Sequence, residues 1–359
     1  MAMTGIERIG NILQRKPVDR IGLYEHFWGD TCRKWTDEGH LREGESLEDH
    51  FGFDLSECGA FNMVADLDFT PEVVEETEET QLIRDGNGAL LRRHKLHDAT
   101  PEHVDFTVRE RTVWEEFAKP RLVADRRRIN FEAYRAARDA ARAHERFFFW
   151  AGVNVFELMS YLCGHEYMLM GMAVDPDWIK DMVSTYSRLN VDLMEILFAE
   201  EGAPEGVWFY DDLGFKQRPF ISPDMYREII QPGHKRTFDY AKSRGLPVVL
   251  HSCGFVAPLI PGMLEAGIDG LQVIEVKAGM DLLQLHKDFG DRLSFIGGTD
   301  VRVLYSNDRD RIEAELCGKI PVVKEGYGYV LHTDHSVPDQ VEYASYRYFV
   351  DRGLELGQY

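Results

Sequence analysis

Two side chains near the end of the run Pro247-Val248-Val249-Leu250-His251-Ser252-Cys253-Gly254 can bind a metal. The run is apolar and β-branched until it meets a histidine and, two residues on, a cysteine. Alternate residues of a strand share a face, so the imidazole of His251 and the thiol of Cys253 project the same way from its carboxyl end. A nitrogen and a sulfur donor held this close suit Zn²⁺. A buried cysteine beside a hydrogen-bonded histidine is the competing account.

Other polar residues stand at the ends of other apolar runs. Val207-Trp208-Phe209 leads into Tyr210-Asp211-Asp212, which should turn at least one carboxylate into a shared cavity; Asp212 is a candidate acid or base, and Tyr210 and Asp211 are candidate substrate contacts. Glu275 ends another run, where acid–base work and a salt bridge to Lys277 are equal alternatives. Asp300 follows Gly297-Gly298-Thr299 and is either catalytic or a helix N-cap. His332 and Asp334 form a second pair two residues apart, in which Asp334 can orient a ligating imidazole without touching the metal. Trp28 lies past the end of an early strand, where it can wall a pocket, and Asn154 is a candidate substrate contact, as is Glu157, which could equally be a first-turn helix acid.

These residues need a scaffold that gathers strand ends. Short apolar strands followed by amphipathic helices recur from about residue 146 onward, at 146–152, 206–212, 247–253, 270–275, 293–300 and 328–334, and an earlier strand covers 20–24. Nearly continuous apolar strands alternating with helices indicate a parallel sheet covered by helices. An open doubly wound sheet usually carries a Gly-rich phosphate loop after its first strand, and this chain has none. Polar residues at the carboxyl ends of many strands favour a (β/α)₈ TIM barrel. Alternating runs flanking Asp85-Gly86-Asn87-Gly88 predict an N-terminal β-hairpin insertion, about 70–116, between the first and second strands. Residues 1–359 are expected to form a single barrel domain.

Composition limits the partners. With 41 Lys and Arg against 62 Asp and Glu, the formal net charge of −21 repels phosphate backbones and anionic membranes, so neither nucleic acid nor a membrane is expected. The five cysteines are dispersed without a C-x-x-C pair, which argues against a disulfide framework and for a reducing, cytoplasmic setting. Neither a signal peptide nor a stretch of about 18 apolar residues is found. Nothing fixes the oligomer, and a homodimer stays open.

Three segments together resemble the uroporphyrinogen decarboxylase superfamily: Leu250-His251-Ser252-Cys253-Gly254, Gly297-Gly298-Thr299-Asp300 and Asp334-His335-Ser336-Val337-Pro338. The opening segment, with Arg8 and Pro17-Val18-Asp19-Arg20, is similar as well. The resemblance implies a (β/α)₈ barrel and, through its H-x-C-G motif, points to the zinc-dependent methyltransferase branch. That branch completes its zinc site with a cysteine near the C-terminus; the matching position here is His335, with Asp334 one register away and His332 a further alternative. The heme-pathway branch fits less well, because its arginine-bearing segment is replaced by Tyr24-Glu25-His26-Phe27-Trp28. The implied activity is transfer of a methyl group between a small O-, S- or N-methyl compound and a corrinoid protein. The corrinoid comes from a partner, since the chain has no D-x-H-x-x-G motif. A metal-assisted lyase or hydrolase, or a decarboxylase, on the same barrel without corrinoid is the alternative.

Overall fold

β-Branched and aromatic runs form eight short parallel strands whose outer faces are covered by helices. The computed structural model describes residues 2–98 and 100–359. In chain order the strands are β1 (Gly22–Leu23), β2 (Leu55–Gly59), β3 (Glu72–Glu76), β4 (Thr80–Arg84), β5 (Leu90–His94), β6 (Glu102–Asp105), β7 (Phe147–Val153), β8 (Gly206–Tyr210), β9 (Val248–Ser252), β10 (Gly270–Val273), β11 (Ser294–Gly297) and β12 (Tyr329–Leu331). The parallel sheet runs β1-β12-β11-β10-β9-β8-β7-β2, so strands consecutive in the barrel are neighbours in space.

Its two ends meet at Asp54. The Asp54 backbone N–H donates to the Leu23 carbonyl at 2.9 Å, and the Leu23 N–H donates to Asp54 Oδ2 at 2.8 Å. Arg8 and Arg20 hold the same carboxylate at 2.6 and 2.7 Å, so one buried aspartate closes the curled sheet.

Two sequence expectations change here. Seven strands are plain in the sequence; the eighth is β2, which has one fully buried apolar residue, Leu55, and otherwise half-covered small or polar side chains. The insertion also follows β2 instead of lying between the first and second barrel strands. It contains the expected turn, with Gly88 at φ +71°, but as part of a four-stranded antiparallel sheet, β3-β4-β5-β6.

Register decides what faces the barrel interior. Tyr210 of β8 pairs with His251 of β9, and His251 pairs with Gln272 of β10. Paired residues of parallel strands point to the same face, so these three side chains line one level of the barrel. Beneath them Trp208 packs edge-on against Phe149 at 5.3 Å and closes the interior with apolar surface.

Candidate metal centre and cavity

Three donors converge where β8 and β9 end. His251 Nε2 lies 3.3 Å from Cys253 Sγ and 3.4 Å from Asp212 Oδ1, and the ligand atoms of all three residues fall within 4.8 Å of one another. Asp212 is fixed by accepting the Cys253 backbone N–H at 2.8 Å. His251 Nδ1 is hydrogen-bonded to Gln272 Oε1, an acceptor, so the proton sits on Nδ1 and Nε2 presents its lone pair to the other two donors. Burial pushes the Cys253 thiol up from its ordinary value. A thiolate there needs a positive charge beside it, which a divalent cation supplies. An imidazole nitrogen, a sulfur and a carboxylate oxygen form a donor set that suits zinc.

A chain of polar side chains continues from the cluster into the barrel. Gln272 Nε2 lies 3.4 Å from His332 Nε2, which lies 3.0 Å from His26 Nδ1. His26 Nε2 faces Glu57 Oε1 at 3.2 Å, and the Tyr210 hydroxyl donates to the Glu57 carboxylate at 2.8–2.9 Å. Burial alone would raise Glu57; hydrogen bonds from His26 and Tyr210 outweigh it and hold the carboxyl below the ordinary glutamate range. Glu25 is the opposite case. Burial pushes it up to about 8, although Thr333 and His26 donate to it. Burial and neighbouring His26 hold His332 well below the ordinary histidine range.

The cluster opens onto a cavity of about 280 Å³ lined by His26, Trp28, Glu57, Tyr210, His251, Cys253, Gln272, His332 and His335, among others. Trp28 stacks on His335 at its rim, with ring centroids 6.1 Å apart. His335 thus borders the cavity, but the donor that joins His251 and Cys253 is Asp212. The C-terminal segment puts an imidazole on the wall, whereas Asp212, two residues beyond Tyr210, the strand partner of His251, supplies the nearer donor.

Several other candidates serve the backbone. Asp334 is 1% exposed and accepts the N–H groups of Val276 and Val301, each at 2.8 Å, tying together the loops after β10 and β11. Asp211 accepts from Phe156, Glu157 and, at 2.6 Å, His234. Asn154 caps the helix Val155–Val174 and donates to Thr237. Glu275 accepts the Gly254 N–H at 2.6 Å and pairs with Lys277 at 3.3 Å. Asp300 caps the helix Val301–Tyr305 and pairs with Arg302. These five carboxylates and amides satisfy buried loop and helix-end donors, a requirement of any barrel rim. Glu157 is nearer the chemistry: it takes a hydrogen bond from Tyr161, and burial with the charge of Asp212 pushes it up to about 7. The site also uses Glu57, on the unrecognised strand, and Gln272, neither of which stands out in the sequence, together with His26, a polar residue at a strand end to which the sequence assigns no role. A glutamine inside the apolar run Leu271-Gln272-Val273 was the available signal for the second.

Comparison with known proteins identifies the fold and the family. A solved structure described as a methyltransferase from Methanosarcina mazei superposes with a TM-score of 0.67 at 16% identity, covering 98% of this chain and 99% of that one, which establishes the shared fold. A stretch of 113 residues is 34% identical to the Methylcobamide:CoM methyltransferase MtaA of Methanosarcina barkeri; it covers 30% of this chain and 32% of that protein, about a third of the relative's length. Residues 107–355 match the family described as Uroporphyrinogen decarboxylase (URO-D). That stretch is more than half of the chain and carries β7 to β12 and all three converging donors. On fold and sequence together, the chain belongs to the uroporphyrinogen decarboxylase family.

Proposed function

We propose that this protein is a zinc-dependent methyltransferase that moves a methyl group between a small O-, S- or N-methyl compound and the cobalt of a partner corrinoid protein. The observation that carries the reading is the convergence of His251, Cys253 and Asp212 over a barrel cavity. Partial similarity to a methylcobamide-using methyltransferase supports the choice among reactions.

His251 Nε2, Cys253 Sγ and Asp212 Oδ1 would hold the ion, with Gln272 fixing the imidazole tautomer. When bound, zinc supplies a Lewis acid for a substrate heteroatom or lowers the pKa of a thiol. Trp28 and His335 narrow the rim and exclude water. Glu57 Oε1 and His26 Nε2, 3.2 Å apart, hold a proton beside the cavity, where a heteroatom that has lost its methyl group needs one. The corrinoid partner would dock over the strand ends.

The test is to load the protein with zinc and supply cob(I)alamin with simple methyl thioethers and ethers. Methylcobalamin formation that is lost in Cys253→Ala supports the proposal. Turnover of a substrate by the zinc-loaded protein with no corrinoid present would instead establish the lyase or hydrolase reading.

A further inference from the structure

Next to the metal-centre cavity is a larger one of about 380 Å³, and the two share Glu57 and Tyr210. Phe61, Met63, Tyr161 and Asn190 also line the larger cavity, and among the described residues neither cavity has a Lys or Arg in its wall. Asn190 is fully buried. Its Nδ2 donates to the Val153 carbonyl at 3.1 Å, which leaves Oδ1 as an acceptor with no partner among the described residues.

The buried polar atom left unpaired in this wall is therefore an acceptor. Glu57 contributes a carboxylate held in its charged form, Asn190 contributes a bare carbonyl oxygen, and the faces of aromatic rings carry partial negative charge. Leaving buried acceptors unpaired is costly, so the complementary ligand brings donors. An anionic tail would meet the Glu57 carboxylate with no Lys or Arg in the wall to offset it.

We infer that the larger cavity receives the ammonium end of a small O- or S-methylated amine, whose N–H donors turn toward Glu57 and Asn190 and whose carbon chain lies against Phe61, Tyr161 and Tyr210. That the ligand is a methyl compound rests on the reading of the preceding subsection; the preference for positive charge does not. A methyl ether or thioether keeps lone pairs on the atom that bears the methyl group, so it can still meet a Lewis acid at the donor cluster while its amine occupies the cavity.

Calorimetric titration of the full-length, metal-free protein tests the charge preference with three probes of one length: 3-(methylthio)propylamine, 3-(methylthio)propanol and 3-(methylthio)propionate. The amine should bind at least about tenfold more tightly than the carboxylate, with the alcohol between them. Glu57→Gln should weaken the amine by about tenfold and leave the alcohol nearly unchanged. Phe61→Leu, a milder change on the cavity wall, should weaken the amine several-fold, so the test survives if the first variant does not fold. Carboxylate binding equal to or tighter than amine binding, or no amine binding at millimolar concentration, overturns the inference. Zinc titration of the same samples is a separate readout: amine selectivity without zinc uptake would sink the methyltransferase reading and leave the cation site standing.

Discussion

Metal binding at the proposed site depends on how the His251 ring is held. Its Nδ1 proton is committed to Gln272, so removing that acceptor leaves the three donors in place but frees the ring to turn or change tautomer. Loss of such an orienting partner typically costs about 10- to 100-fold in metal affinity. Gln272→Leu should therefore weaken zinc binding within that range, while Cys253→Ala should weaken it further; competition with a chromophoric chelator measures both. Unchanged affinity in Gln272→Leu would show that the hydrogen bond does not position the ligand.

Glu25 gives a second residue-scale test, with a defined sign. Its carboxyl is raised from 4.5 to about 8, so between those values the folded protein binds more protons than the unfolded chain. Stability then falls as pH rises through this window and levels off above it. Glu25→Gln removes the titration, and its amide can still donate toward His332 Nε2, 3.3 Å from Glu25 Oε1. Urea unfolding of the two chelator-treated proteins at pH 5 and pH 9 should show the native protein losing more stability than the variant. Parallel losses would mean that Glu25 is not held protonated.

At the element scale the closure of the barrel depends on Asp54. Arg8, Arg20 and the Leu23 N–H all converge on its carboxylate where β1 meets β2. Deleting one partner of a buried ion pair typically costs about 3–5 kcal/mol, because the remaining charges are left uncompensated. Asp54→Ala should lower the denaturation midpoint accordingly. A change under about 1 kcal/mol would mean that the seam is held by packing alone.

The elements also explain what the sequence could and could not reveal. From Phe147 onward each barrel strand is a compact apolar run, and six of the eight were legible on that basis. Leu55-Ser56-Glu57-Cys58-Gly59 was not, because a strand beside the seam buries little apolar surface; Glu57 was lost with it. The His251–Cys253 pair was visible because both residues lie on one strand end. Asp212 follows the neighbouring strand, and its approach to that pair is set by the β8–β9 register, which adjacency in sequence does not encode. Asp211, Glu275, Asp300 and Asp334 looked equally chemical, yet they cap loops and helix ends. Rim donors need acceptors whether or not the barrel is catalytic.

For the whole molecule, zinc binding at the proposed site would be linked to folding. The donors come from the end of β9 and from the residues just after β8 and β9, which the unfolded chain does not hold together, so zinc should favour the folded state. At free zinc one hundred times its Kd the gain is about 2.7 kcal/mol. Thermal unfolding should show a rise in Tm on zinc addition that disappears in Cys253→Ala; an equal rise in both proteins would place the stabilising ion elsewhere.

The proposed function requires one zinc ion on His251, Cys253 and Asp212, and X-ray absorption at the zinc edge of the loaded protein reads those ligands. The account predicts one sulfur neighbour at about 2.3 Å, with the remaining ligands nitrogen or oxygen at about 2.0–2.2 Å, and loss of the sulfur shell in Cys253→Ala. A purely nitrogen and oxygen shell, or a sulfur shell that persists in Cys253→Ala, would contradict it.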